Sequence, residues 1–97
     1  MRTAIVTGAA GGIGEATALD LARWGWRVFG FDLRAGESPL LPSNLAGFGG
    51  SVEPIRVDVT DRAAVEAAVA AVLATTGGTL DAVVANAGIR VAGAFEE

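Results

Sequence analysis

A β-branched run, Thr3-Ala4-Ile5-Val6-Thr7, halts at Gly8 and is followed by Ala9-Ala10-Gly11-Gly12-Ile13-Gly14, within which the apolar spacing turns helical. This passage of strand, glycine-rich turn and helix restricts the fold more than any other feature. The run reads as a buried strand and Gly8 as the start of a tight turn. From Gly12 to Trp24 the helical spacing puts Gly14, Ala18, Leu21, Ala22 and Gly25 on one face and Glu15, Asp20 and Arg23 on the opposite one. A face of small residues lets a helix lie close to a sheet, which brings its N-terminus up to the strand end.

The same alternation continues downstream. Gly25 stops the helix, and Arg27 to Leu33 reads as a second buried strand with Asp32 near its C-terminal end. Arg34 to Gly50 holds Pro39, Pro42 and several glycines, too broken for a long helix although Leu40 to Leu45 suits a single turn. Val52 to Val59 predicts a third strand, with Pro54 near its start where a missing N–H is tolerated. Thr60 or Asp61 then caps a helix in which Val65, Val69, Val72 and Leu73 repeat on one face, and Gly77-Gly78 ends it. Leu80 to Asn86 is the fourth strand. The order implies right-handed βαβ units, so the expected fold is α/β, a Rossmann-like parallel sheet with helices on both faces. Residues 1–97 make one domain, expected to be incomplete at its C-terminal end.

Composition narrows the chemistry. There is no cysteine, histidine, tyrosine or lysine, so a thiol, an imidazole, a phenol and an amine are all missing from this stretch, and no metal site is expected. Eleven acids against seven arginines leave a net charge of −4, and the arginines form no basic stripe, which argues against a nucleic-acid partner. Apolar runs are strand-sized, short of the roughly 18 residues that suggest a membrane span. Met1 to Val6 does not resemble a secretory signal, and the expected compartment is the cytoplasm.

In such a sheet ligands bind beyond the C-terminal strand ends. Four motifs fall there. In the first turn Gly8 permits the bend, Gly12 lets the backbone approach a pyrophosphate, and Gly14 packs the helix onto the sheet, whose N-terminus offers unpaired N–H groups to phosphate charge. Asp32 stands 24 residues after Gly8, close to the spacing of about 20 at which an acid accepts from ribose hydroxyls and disfavours a 2′-phosphate. Arg34, two residues on, has the charge to neutralise such a phosphate, so NAD is preferred and NADP is the lesser alternative. Asp58-Val59 suits an adenine amino group and ring, although Asp58, Thr60 and Asp61 are equally good helix caps. Asn86-Ala87-Gly88 lets the backbone approach a ribose, although a turn of this composition needs no ligand to explain it. Trp24 and Trp26 read as packing residues.

Thr7-Gly8-x-x-x-Gly12-x-Gly14, Asp32, Asp58-Val59 and Asn86-Ala87-Gly88, in this order, resemble the N-terminal part of the short-chain dehydrogenase/reductase family over essentially the whole chain. The resemblance implies NAD(P) bound at the turn that Gly8 opens, with its pyrophosphate near Gly11, Gly12, Ile13 and Gly14. It implies adenosine at Asp32, Leu33, Asp58 and Val59, and the nicotinamide ribose beyond Asn86, Ala87 and Gly88. It further implies hydride exchange with a small alcohol or carbonyl substrate and, in a longer chain, a homo-oligomer. Family members use a Ser, a Tyr and a Lys four residues after that Tyr, and this sequence holds neither Tyr nor Lys. The 97 residues are therefore expected to form the cofactor half, inactive alone and with no catalytic residue among them. They leave Leu80 to Val84 as an exposed apolar edge. The alternatives are a non-catalytic dinucleotide-binding or assembly module and, more distantly, a binder of another adenosine-containing ligand.

Overall fold

The computed structural model describes residues 2–10, 12–34 and 49–85. Within these residues lie four strands and two helices, in the order β1 (Thr3–Thr7), α1 (Gly12–Arg23), β2 (Arg27–Asp32), β3 (Ser51–Arg56), α2 (Arg62–Thr76) and β4 (Ala82–Val84). All the pairings are parallel, and the sheet order is β3-β2-β1-β4. The expected parallel α/β sheet is therefore present. Register pairs Thr7 with Phe31, Val6 with Val84 and Asp32 with Arg56, so the C-terminal strand ends lie together.

Alternation along the strands divides the core between the two faces. Val6, Val28 and Val52 pack with Ala9, Ala18 and Ala22 on the α1 side, while Ile5, Phe29 and Phe31 pack with Val57 and Val72 on the α2 side. Strand β1 is buried along its whole length between β2 and β4. The small-residue face of α1 behaves as expected: Gly14, Ala18 and Ala22 are buried. A close approach at the far end of the helix completes this layer. Gly50 N–H donates to the Ala22 carbonyl at 2.9 Å, and a Cβ at Gly50 would meet that carbonyl oxygen at 2.7 Å.

Several boundaries differ from the expected ones, each for a local reason. Strand β3 ends at Arg56 rather than Val59 because its partner β2 ends at Asp32. Val57 N–H makes a last bond to the Asp32 carbonyl at 3.2 Å, and Asp58 and Val59 then leave the sheet. Leu33 likewise falls in the turn after β2. Strand β4 is shorter than Leu80 to Asn86, its start held by Asp81, whose Oδ2 accepts from Thr3 N–H at 2.8 Å. Of the candidate caps of α2, Asp61 takes the position, its side chain accepting from Ala64 N–H at 3.2 Å, and Gly77 closes the helix with φ of 73°. Trp26 packs against the α1-side core as expected, but Trp24 is 81% exposed and is not a packing residue. The single turn expected at Leu40 to Leu45 lies outside the described residues.

Candidate functional site

The glycine turn is built onto the end of β2. Gly8 takes φ of 67° and Gly12 φ of 58°, left-handed conformations that glycine adopts without strain. Between them Ala9 is buried. Gly8 N–H donates to the Phe31 carbonyl at 2.8 Å, and Ala9 N–H reaches the same oxygen at 3.5 Å. Ala10 N–H donates to Asp32 Oδ2 at 3.2 Å, while the other carboxylate oxygen accepts from Arg34 N–H at 2.8 Å. Two residues 24 positions apart in sequence, Gly8 and Asp32, thus belong to one hydrogen-bonded unit. The carboxylate is half-buried, oriented by two backbone amides, and retains acceptor capacity on both oxygens.

Among the described residues the surface around that unit is open. A Cβ at Gly12 would meet nothing within 4 Å, so Gly12 is required by its backbone conformation, and space remains in front of the turn. The first-turn N–H groups of α1 lack intrahelical partners and present the positive end of the helix dipole there. Ile13 is 75% and Leu33 55% exposed, two large apolar side chains beside the turn and the acid. Anion-binding amides, an oriented carboxylate and uncovered apolar surface fit the phosphates, ribose and adenine of a dinucleotide.

Asp58 lies in the connection between β3 and α2. Its Oδ1 accepts from both the amide of Thr60, at 3.0 Å, and the hydroxyl, at 2.6 Å. The Thr60 hydroxyl, and then its amide, hold the Asp58 carboxyl below the ordinary aspartate value of 3.8. Asp58 and Val59 follow β3 and therefore stand at the same end of the sheet as Asp32. Gly11, Asn86, Ala87 and Gly88 lie outside the described residues. Among the described residues no cluster of acids suits a metal ion, and no helix is long and apolar enough to cross a membrane. An open depression of about 440 Å³ lined by Arg2, Trp24, Gly25 and Trp26 sits at the opposite end, beside the starts of β1 and β2.

Comparison with known proteins decides the family. The sequence matches the short chain dehydrogenase family over residues 2–97. The chain belongs to that family. This short-chain dehydrogenase chain is 46% identical over 88 residues to an uncharacterized oxidoreductase of Myxococcus xanthus, covering 91% of the chain and 34% of that protein. It is 40% identical over 96 residues to D-threitol dehydrogenase of Mycolicibacterium smegmatis, covering 99% and 36%. In three dimensions it superimposes with a TM-score of 0.73 on an alcohol dehydrogenase of the archaeon Thermococcus sibiricus complexed with 5-hydroxy-NADP. The two are 32% identical, over 86% of this chain and 35% of the other. The chain thus spans about a third of the length of the relatives it matches. It is a Rossmann-like portion of an oxidoreductase family that uses nicotinamide cofactors.

Sequence reasoning about this short-chain dehydrogenase missed three contributors. Thr60 orients Asp58, Asp81 anchors β4 to β1, and Gly30 lies under the turn. A glycine inside a β-branched and aromatic run signals a bulge or a close backbone approach, and that signal was available at Gly30.

Proposed function

We propose that this chain is the NAD-binding part of a dehydrogenase that exchanges hydride between nicotinamide and a small alcohol or carbonyl substrate in the cytoplasm. The observation that carries this reading is the bond between Ala10 N–H and Asp32 Oδ2, which ties an acceptor for ribose hydroxyls to the turn that would receive the pyrophosphate. Gly8, Gly11, Gly12, Ile13 and Gly14 would hold the phosphates, Asp32, Leu33, Asp58 and Val59 the adenosine, and Asn86 to Gly88 the nicotinamide ribose. When bound, the cofactor supplies the hydride acceptor or donor. The chain's own residues bind and orient it.

A carboxylate at Asp32 favours free ribose hydroxyls over a 2′-phosphate, so NAD is the preferred cofactor, with Arg34, two residues on, as a group that lessens the preference. The relative complexed with an NADP derivative sets the competing case. Hydride exchange needs an acid/base, and the sequence has neither Tyr, Lys nor His to provide the usual ones, so the 97 residues alone should bind without turning over. Homo-oligomerisation belongs to the same reading of the family. Calorimetric titration of the folded chain with NAD and NADP tests the proposal. Saturable binding with NAD the tighter supports it; a folded chain that binds neither overturns it.

A further inference from the structure

We propose that Gly30, in the interior of β2, is a positioning residue for the dinucleotide site: its lack of a side chain seats Ala9 against the sheet and so sets the distance from the glycine turn to the Asp32 carboxylate. The inference rests on the cofactor reading above.

Glycine is a poor choice inside a strand, and its neighbours Val28, Phe29 and Phe31 are fully buried β-formers. The backbone does not demand it, because Gly30 is not among the described glycines with positive φ. Packing on β3 does not demand it either, since a Cβ there would lie 3.9 Å from Val52 Cγ1, an ordinary contact. The same Cβ would stand 2.8 Å from the Ala9 Cβ, a distance that atoms of this kind do not tolerate. What the bare backbone accommodates is therefore the turn.

The consequence runs through three successive amides. Gly8 and Ala9 are bonded to the Phe31 carbonyl at 2.8 and 3.5 Å, and Ala10 to Asp32 Oδ2 at 3.2 Å. Restoring normal carbon–carbon separation at Gly30 would lift Ala9 by roughly an ångström. Bonds already at 3.2 and 3.5 Å do not survive such a shift, so Ala10 parts from Asp32. The phosphate-binding and ribose-binding halves would then no longer match the length of one ligand.

Adenosine and ADP-ribose separate this role from a general loss of stability, because adenosine engages the Asp32 end alone whereas ADP-ribose spans both halves. The dissociation constants of both are measured on the full 97-residue chain and its variants by NMR titration, with circular dichroism reporting the fold. Gly30→Ala should lose roughly tenfold more affinity for ADP-ribose than for adenosine, about the worth of one charged hydrogen bond. Adding Ala9→Gly should restore the ratio. A folded Gly30→Ala with the wild-type ratio overturns the proposal, as does a double variant that leaves a lowered ratio uncorrected. If Gly30→Ala fails to fold, the double variant decides: recovery of fold and ratio supports the proposal, and continued unfolding shows that Gly30 answers to something other than Ala9. A folded wild-type chain that ignores ADP-ribose removes the cofactor reading itself, an outcome distinct from binding with an unaltered ratio.

Discussion

Asp32 serves two roles, as an anchor for the turn through Oδ2 and as the terminus of β2. Replacing it with alanine removes both an acceptor for ribose hydroxyls and the partner of Ala10. Asp32→Ala is expected to weaken NAD binding by about 1–3 kcal/mol and to narrow the preference against NADP, with calorimetry on both cofactors as the check. An unchanged ratio would take Asp32 out of the ribose site. Asp58 allows a test that needs no ligand. Its carboxyl is held below 3.8 by the Thr60 hydroxyl and amide, so Thr60→Val should move the Asp58 titration upward, measured by carboxyl carbon NMR. The folded value lies below the unfolded one. The stabilisation is therefore complete above the unfolded value and disappears as pH falls through the depressed one; wild type and Thr60→Val should converge in stability in strong acid.

At the scale of elements, the two helices terminate by different means. Helix α1 starts within the glycine turn, where Gly12 provides the left-handed residue and the sheet provides the anchor. Helix α2 starts on Asp61, whose carboxylate satisfies the Ala64 amide, and no acid in the first turn of α2 shares the task. Asp61→Ala should therefore cost about 0.5–2 kcal/mol, read as a lower urea midpoint with an unchanged slope. Thr60 and Asp61 were both chemically suitable as caps. The Thr60 hydroxyl, however, is spent on Asp58, which leaves Asp61 for the helix.

At the scale of the whole molecule, the described residues form a four-stranded sheet carrying one helix on each face, and a chain of 97 residues of ordinary stability has only about 5–15 kcal/mol in hand. Among the described residues Phe29 and Phe31 are the largest fully buried side chains, and both lie on the α2 side. Phe29→Ala should cost about 3–5 kcal/mol, a large share of that reserve, read as a lower urea midpoint followed by near-ultraviolet dichroism. Strand β4 is an edge of the described sheet, and Val83 is 44% exposed on it, as the apolar run from Leu80 to Val84 led one to expect. Nothing in the described residues covers that edge.

Alternation of strand and helix, the parallel sheet, the inward face of α1 and the phosphate turn were all legible in the order of residues, because each depends on periodicity or on the conformational freedom of glycine within a few neighbours. Asp32 was legible as well, since its separation from Gly8 is the length of one turn, helix and strand. Contacts between distant segments were not. Gly30 marks a close approach to β2, but the sequence does not say that Ala9 is what rests there, that Asp81 bonds Thr3, or that β3 stops at Arg56 because β2 stops at Asp32. Trp24 stands in the turn after α1 and is 81% exposed for the same reason: whether a tryptophan beside a helix stop is covered depends on which distant segments reach that turn. Local stereochemistry thus determined the elements and the kind of site, and tertiary packing decided where the strands end, which acid caps α2 and how closely the turn approaches its carboxylate, since those depend on atoms that meet only when the chain has folded.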